Sequence, residues 1–231
     1  MIEHLFLLHP QLQRLKDDLD RCAADGARAA TDQAHSPCWL AILGPPGVGK
    51  TRLLRFWLEE ASREALAGEE GHVPYLSLSL PATLAWNSSP KMLLAALLDA
   101  AEEALSIPRP RFATTWTMQD SFVELLHAAP IHLLALDHCE RLVDRQNRRI
   151  NHALVDLIVH VASSARVAVA LLGRAEETDA VLAANPQLAR RVWSLRHLTP
   201  FKWDPAHPET VEESCGPCAP STNACPSTSR G

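Results

Sequence analysis

The chain has 231 residues, 47% of them apolar, and a formal net charge of −5. That is enough apolar material for one proper core with or without a tail, and the acidic balance excludes a protein whose main work is coating nucleic acid, while a local basic patch stays compatible with it. No apolar stretch is long enough to span a membrane, and the N-terminus lacks the basic start and small-residue cleavage site of a signal peptide, so no membrane partner is expected and the cytoplasm is the default compartment.

Residues 1–25 carry Leu5, Leu8, Leu12, Leu15 and Leu19 at helical spacing, with Pro10 placed to split the helix. Residues 26–38 are polar and small and read as a linker, which makes 1–38 an N-terminal helical segment with its linker. Trp39-Leu40-Ala41-Ile42-Leu43 then reads as a buried strand. Directly after it comes Gly44-Pro45-Pro46-Gly47-Val48-Gly49-Lys50-Thr51, which fits G-x-x-x-x-G-K-[ST] without a mismatch. Arg52 to Glu60 opens a helix that continues to about Ala67, where Gly68 and Gly71 end it.

Strand, glycine loop and helix in that order are the context of a nucleotide site. A triphosphate needs many donors converging on a small volume, and backbone N–H groups on glycines that tolerate positive φ supply them. The helix beginning near Gly49 adds its unpaired N–H groups and the positive end of its dipole. The candidate nucleotide-binding residues are therefore Gly44, Pro45, Pro46, Gly47, Val48, Gly49, Lys50, Thr51 and Arg52. Lys50 would reach the β- and γ-phosphates of ATP or GTP, and Thr51 Oγ would hold Mg²⁺.

Val73 to Leu80 alternates as a second strand with one less buried face, stopped by Pro81. A helix follows from Ser89 or Pro90 to Leu105, a loop at Pro108 and Pro110, and a helix from Thr117 to His127 with Phe122, Val123, Leu125 and Leu126 inward. Ile131 to Leu136, ending at Asp137, is nearly all apolar and reads as a central parallel strand. Ile150 to Ala162 is a helix. Val167 to Leu172, ending at Gly173, is another buried strand. Glu176 to Ala184 and a short turn from Pro186 through Arg191 are helical, and Val192 to Leu198 is an edge strand. Strands alternating with helices predict an α/β, three-layer P-loop fold with a parallel central sheet, its core over 39–205. From about His207 the chain is Pro, Ser, Thr and Cys, a composition that does not order itself, so 206–231 is expected to be a disordered tail. Four tryptophans, Trp39, Trp57, Trp86 and Trp116, are expected in the core or half-buried. Among the six cysteines, Cys215-Gly216-Pro217-Cys218 has dithiol spacing, but it lacks the strand and helix that lower a thiol pKa, and no redox role is assigned.

A phosphate loop needs a carboxylate at the tip of a neighbouring strand to orient the Mg²⁺ water shell. Asp137 stands at such a tip, although an Asp there also caps a following turn. The residue after it, where many ATPases of this type carry the glutamate that orients the attacking water, is His138, and Glu140 comes two residues later. Three readings stay open: Glu140 is the base by a different backbone path, His138 is the base, or turnover is slow. Glu140 could equally form a surface pair with Arg141 or Arg145.

Three further stretches carry a resemblance. They are Val73-Pro74 with Leu80-Pro81 ahead of the Leu- and Ala-rich helix from Met92 to Ala100, Leu171 to Glu177 leading to Asn185-Pro186-Gln187-Leu188-Ala189-Arg190-Arg191-Val192, and Thr199-Pro200-Phe201-Lys202-Trp203. Across roughly 5–205 the chain resembles the TniB-like AAA+ ATPases, the transposition regulators related to TnsC. The resemblance implies Lys50 and Thr51 on the phosphates and Mg²⁺, Asp137 at the metal, and Arg191, with Arg190 as the alternative, presented to a neighbouring subunit's γ-phosphate. It implies a homo-oligomer formed with ATP, with DNA and a transposase as partners. The chain departs from the family pattern in three places: His138 replaces the catalytic Glu, Arg174 replaces the polar residue that senses the γ-phosphate, and the family's helical lid is expected to be missing where the tail begins. Arg145, Arg148 and Arg149 read as a solvated helix face before they read as a DNA track. The function expected is an ATP-binding switch in DNA transposition and recombination, hydrolysing ATP weakly or by an altered route. The alternatives are a nucleotide-binding scaffold that does not hydrolyse and a P-loop small-molecule kinase, for which no lid with arginines is visible.

Overall fold

The computed structural model describes residues 10–67, 74–85, 89–106, 114–129, 131–144 and 149–200. The expected tail at 206–231, the Cys215–Cys218 motif, Trp86, Arg145 and Arg148 lie outside the described residues. Five strands form one sheet: β1 (Trp39–Leu43), β2 (Tyr75–Ser79), β3 (Leu133–Asp137), β4 (Ala168–Gly173) and β5 (Val192–His197). Their order is β2-β3-β4-β1-β5, and every pairing is parallel. The three interior strands are buried along their whole length, which is why their sequences are unbroken apolar runs. At the edge, β2 alternates buried and exposed residues as its Tyr-Leu-Ser-Leu-Ser pattern requires.

Side chains alternate across the sheet and feed two cores. Leu40 and Ile42 of β1 point to the side covered by α1 (Pro10–Thr31) and α2 (Lys50–Ala67), where Leu15, Leu19, Leu53 and Trp57 pack. Trp39, Ala41 and Leu43 point to the other side, covered by α3 (Pro90–Leu105), α4 (Thr115–Ala128), α5 (His152–Ala165), α6 (Ala175–Ala184) and α7 (Pro186–Arg191). The result is the expected three-layer α/β fold.

Two sequence expectations are corrected. The segment from residue 26 is not a linker at its start, because α1 runs on to Thr31. Pro10 is the first residue of α1, a place where its missing N–H costs nothing, and Leu5 and Leu8 ahead of it lie outside the described residues. Gly26 and Ala29 read as linker by composition, yet with Ala23 they are buried on the face by which α1 lies against the sheet. A Cβ on Gly26 would stand 2.0 Å from the His132 carbonyl oxygen, which is backbone and cannot swing aside. Gly26→Ala is therefore expected to lower stability by about 1–3 kcal/mol from overpacking, more than the ~1 kcal/mol it gains in helix propensity. A fall in the urea midpoint measures it, and an unchanged midpoint would mean that α1 moves freely. The second correction is Trp116, which is 66% exposed at the start of α4, whereas Trp39 and Trp57 are buried as expected. On α4 the inward residues are Met118, Phe122 and Leu126, with Val123 and Leu125 only half-buried at the margin of the core.

The connection from α1 to β1 is pinned by polar contacts. Asp25 accepts from the Cys38 N–H at 2.7 Å and pairs with His35 Nε2 at 2.6 Å. Arg166, in a left-handed cap at the end of α5, donates to the carbonyls of Ala29, Asp32 and His35. At the far edge, Arg196 of β5 donates to the buried Asp18 of α1 at 2.7 Å, and on the other face of the same strand Trp193 and Leu195 stand exposed.

Candidate functional site

Because all strands are parallel, β1, β3 and β4 deliver their C-terminal ends to one rim of the sheet, where α/β folds place ligands. The β1 end continues into Gly44, whose N–H donates to the Gly173 carbonyl at 3.1 Å. A Cβ on Gly44 would meet the Leu198 carbonyl at 2.4 Å, so this position must stay glycine for the loop to leave the sheet. Gly47 and Gly49 have φ of 80° and 103°, and nothing lies within 4 Å of where their Cβ atoms would be. The loop thus turns through left-handed backbone around open space, as a cradle for an anion does. The Gly49 carbonyl already accepts from Leu53 N, so α2 begins at the loop with the N–H groups of its first turn directed outward.

Loop and strand ends enclose a cavity of about 350 Å³. Pro46, Gly47, Gly49, Lys50, Thr51 and Arg52 line it from the loop, and Asp137, His138, Glu140 and Arg174 from the strand ends. Of the other predicted residues, Gly44 and Pro45 supply the carbonyls on which Lys50 Nζ rests, at 2.7 and 2.9 Å. Val48 packs against the core beneath α1 and α2. Burial draws the Lys50 ammonium below its usual pKa and Arg174 adds to this, against the pull of Glu140 and Asp137.

Thr51 Oγ1 donates to Asp137 Oδ2 at 2.6 Å, tying the first turn of α2 to the tip of β3. The other Asp137 oxygen accepts from the His138 N–H at 2.8 Å. These two side chains present hard oxygen ligands on the floor of the cavity. Among the described residues no group of three His, Cys, Asp or Glu side chains gathers to hold a metal. The pair fits Mg²⁺, which takes one or two protein oxygens and fills its octahedron with water and phosphate.

Glu140 enters the same cavity. Its Oε1 is 3.0 Å from His138 Nδ1, and its Oε2 accepts from the Arg174 N–H at 3.3 Å. Burial opposes its ionisation, but the hydrogen bonds from His138 and from main-chain N–H groups prevail and hold the carboxyl below the usual carboxylate range. Arg141 donates to the Leu80 carbonyl, and Arg145 lies outside the described residues. Arg174 stands where the family pattern has the polar residue that senses the γ-phosphate. Its side chain lines the cavity, 3.8 Å from Glu177, while its main chain holds Glu140, a contact no local pattern could announce. A second hollow of about 420 Å³, which Glu140 and Arg174 also line, lies between residues 140–144 and α6 and had no sequence signal.

Arg191 does not join this group. It ends α7 immediately before Val192, which pairs with Trp39 at the start of β1, whereas the phosphate loop follows Leu43 at the other end. At about 3.3 Å per residue the two ends of β1 are about 13 Å apart. Arg191 is half-buried there and Arg190 is exposed.

The family described as Bacterial TniB protein matches residues 6–203. No curated protein matches the chain. Among solved structures, the ORC2 protein of Aeropyrum pernix in its ADPNP-ADP complexes is similar with a TM-score of 0.57 at 18% identity, over 86% of this chain and 49% of that one. CDC6P from Pyrobaculum aerophilum gives 0.54 at 18% identity, over 84% and 46%. The Walker-type ATPase of Pyrococcus abyssi gives 0.53 at 16% identity, over 91% and 58%. At such identities the likeness is one of fold, the AAA+ type of P-loop domain, and the chain spans about half the length of the solved structures it matches.

Proposed function

This chain belongs to the TniB family, and from that premise and the geometry of its cavity we propose that it is an ATP-binding AAA+ ATPase that acts as a nucleotide-dependent switch in DNA transposition, in the cytoplasm. The observation that carries the reading is the contact between Thr51 and Asp137, set directly below the open glycine loop. That pairing joins the two halves of a magnesium–triphosphate site across 86 residues of sequence. On this reading residues 39–205 are the nucleotide-binding core and 206–231 a tail outside it.

In the proposed reaction the loop N–H groups and the first turn of α2 take the phosphates. Lys50 exchanges its loop carbonyls for phosphate oxygens; Thr51 and Asp137 would hold Mg²⁺, which would supply charge neutralisation to the phosphates. Glu140 accepts a hydrogen bond from the water aligned with the γ-phosphorus, and takes its proton as the new P–O bond forms and the bond to ADP breaks. Arg191, too far along the sheet to serve its own site, reaches the γ-phosphate bound by a second copy, so ATP assembles a homo-oligomer that engages DNA and a transposase.

A single-turnover assay with labelled ATP and Mg²⁺, with and without duplex DNA and with light scattering in parallel, tests the reading. Bound ATP, a larger assembly with ATP than without, and hydrolysis that DNA accelerates are the expected results. ATP that is retained but never cleaved would replace the ATPase with a non-hydrolysing scaffold. Binding that alters neither assembly nor DNA affinity would remove the transposition switch.

A further inference from the structure

We propose that His138 is a positioning residue that aims Glu140 into the nucleotide cavity, its left-handed backbone turning the chain and its ring holding the carboxylate; the catalytic meaning of this rests on the ATPase reading above. His138 has φ 63° and ψ 41°, a left-handed conformation that is strained for a residue with a Cβ and persists only where its surroundings compensate. Two hydrogen bonds compensate here. The His138 N–H donates to Asp137 Oδ1 and its carbonyl accepts from Arg141 N at 2.9 Å, closing the turn Cys139–Leu142. Cys139 goes inward and donates its thiol to the Leu136 carbonyl, and the next side chain, Glu140, comes back over the cavity.

A backbone requirement alone would be met by glycine or asparagine. Nor does the ring cap the turn it precedes, since it makes no capping hydrogen bond. Its Nδ1 meets Glu140 Oε1 at 3.0 Å instead, with the His138 side chain 37% exposed and the Glu140 side chain 12% exposed. The second carboxylate oxygen is held by Arg174 N, so the group is fixed at two points from two different elements. An ionised carboxylate only accepts, so Nδ1 is the nitrogen that carries the hydrogen in this bond. That fixes the tautomer of the neutral ring and leaves Nε2 on the side of Asp137 Oδ2, 3.9 Å away. Each Glu140 oxygen keeps a lone pair for a water. A glutamate three residues past the strand-end aspartate is thereby placed in the cavity that an immediately following residue would otherwise enter.

Two variants and two readouts test this. His138→Gly keeps the left-handed backbone and deletes the ring; His138→Asn tolerates that backbone and returns a short donor. His138→Gly is expected to retain ATP within about twofold while its first-turnover rate falls about tenfold, the worth of one hydrogen bond to a charged group, and His138→Asn to recover part of the rate. An unchanged rate in His138→Gly would overturn the proposal, as would ATP retention and rate falling together. Ring ¹⁵N resonances read the contact whether or not ATP is cleaved. The neutral ring should carry its proton on Nδ1 in the wild type and on Nε2 in Glu140→Ala. A wild-type ring protonated on Nε2 would overturn the contact itself, whereas a wild type that keeps the Nδ1 proton yet never cleaves ATP would overturn only the ATPase reading.

Discussion

Glu140→Gln is expected to bind ATP as the wild type does and to cleave it about 10²–10⁴-fold more slowly, the usual contribution of a positioned base. The substitution keeps the shape of the side chain and, through its amide oxygen, one acceptor for His138 Nδ1 or Arg174 N. It removes the negative charge that takes the water's proton. Because the carboxyl is held below its usual range, it is fully ionised at neutral pH in the wild type, and the loss cannot be hidden by a fraction of enzyme already protonated. Single-turnover cleavage against filter-retained ATP separates the two effects. Normal cleavage in Glu140→Gln would move the base elsewhere in the cavity, with His138 next in line. ATP retention lost together with cleavage would mean that Glu140 supports the fold of the loop.

Lys50→Ala is expected to fail one step earlier and to retain little ATP. A lysine that meets two phosphate groups contributes charge-assisted bonds worth about 3 kcal/mol together, or roughly a hundredfold in affinity. Its present partners, the carbonyls of Gly44 and Pro45, are partly open to water, so losing the ammonium leaves them solvated and costs the fold little. Isothermal titration with ATP and Mg²⁺ should therefore show the affinity falling while the thermal midpoint of the ligand-free chain stays within a degree or two. A large drop in that midpoint would mean that Lys50 serves the loop's structure more than it serves a ligand.

Much of this architecture was legible in the residues because the interior strands announce themselves. Runs of Leu, Ile, Val and Ala with no polar interruption, closed by Asp137 or Gly173, admit few other placements, and the glycine loop fixes which strand lies beside them. What stayed hidden depended on partners distant in sequence. The small residues of α1 look the same whether they loosen a linker or let a helix approach a carbonyl, and only the neighbouring strand decides between them. The left-handed turn at His138 had no glycine to mark it. Glu140 could be read as a surface pair with an arginine nearby, because the Arg174 N–H that holds it comes from the end of another strand. Exposure of Trp116 follows from its place at the first turn of α4, where the apolar stripe has not yet begun.

Arg191 and the phosphate loop sit at opposite ends of one short strand's length. On the proposed reading no chain owns a complete site, and every working one is made by two neighbours. Output then depends on encounters, and it rises more steeply than the amount of protein made. A cell holding the chain at low dose would keep a stock of ATP-loaded but idle copies, and a modest change in expression would carry it across the point where they begin to act.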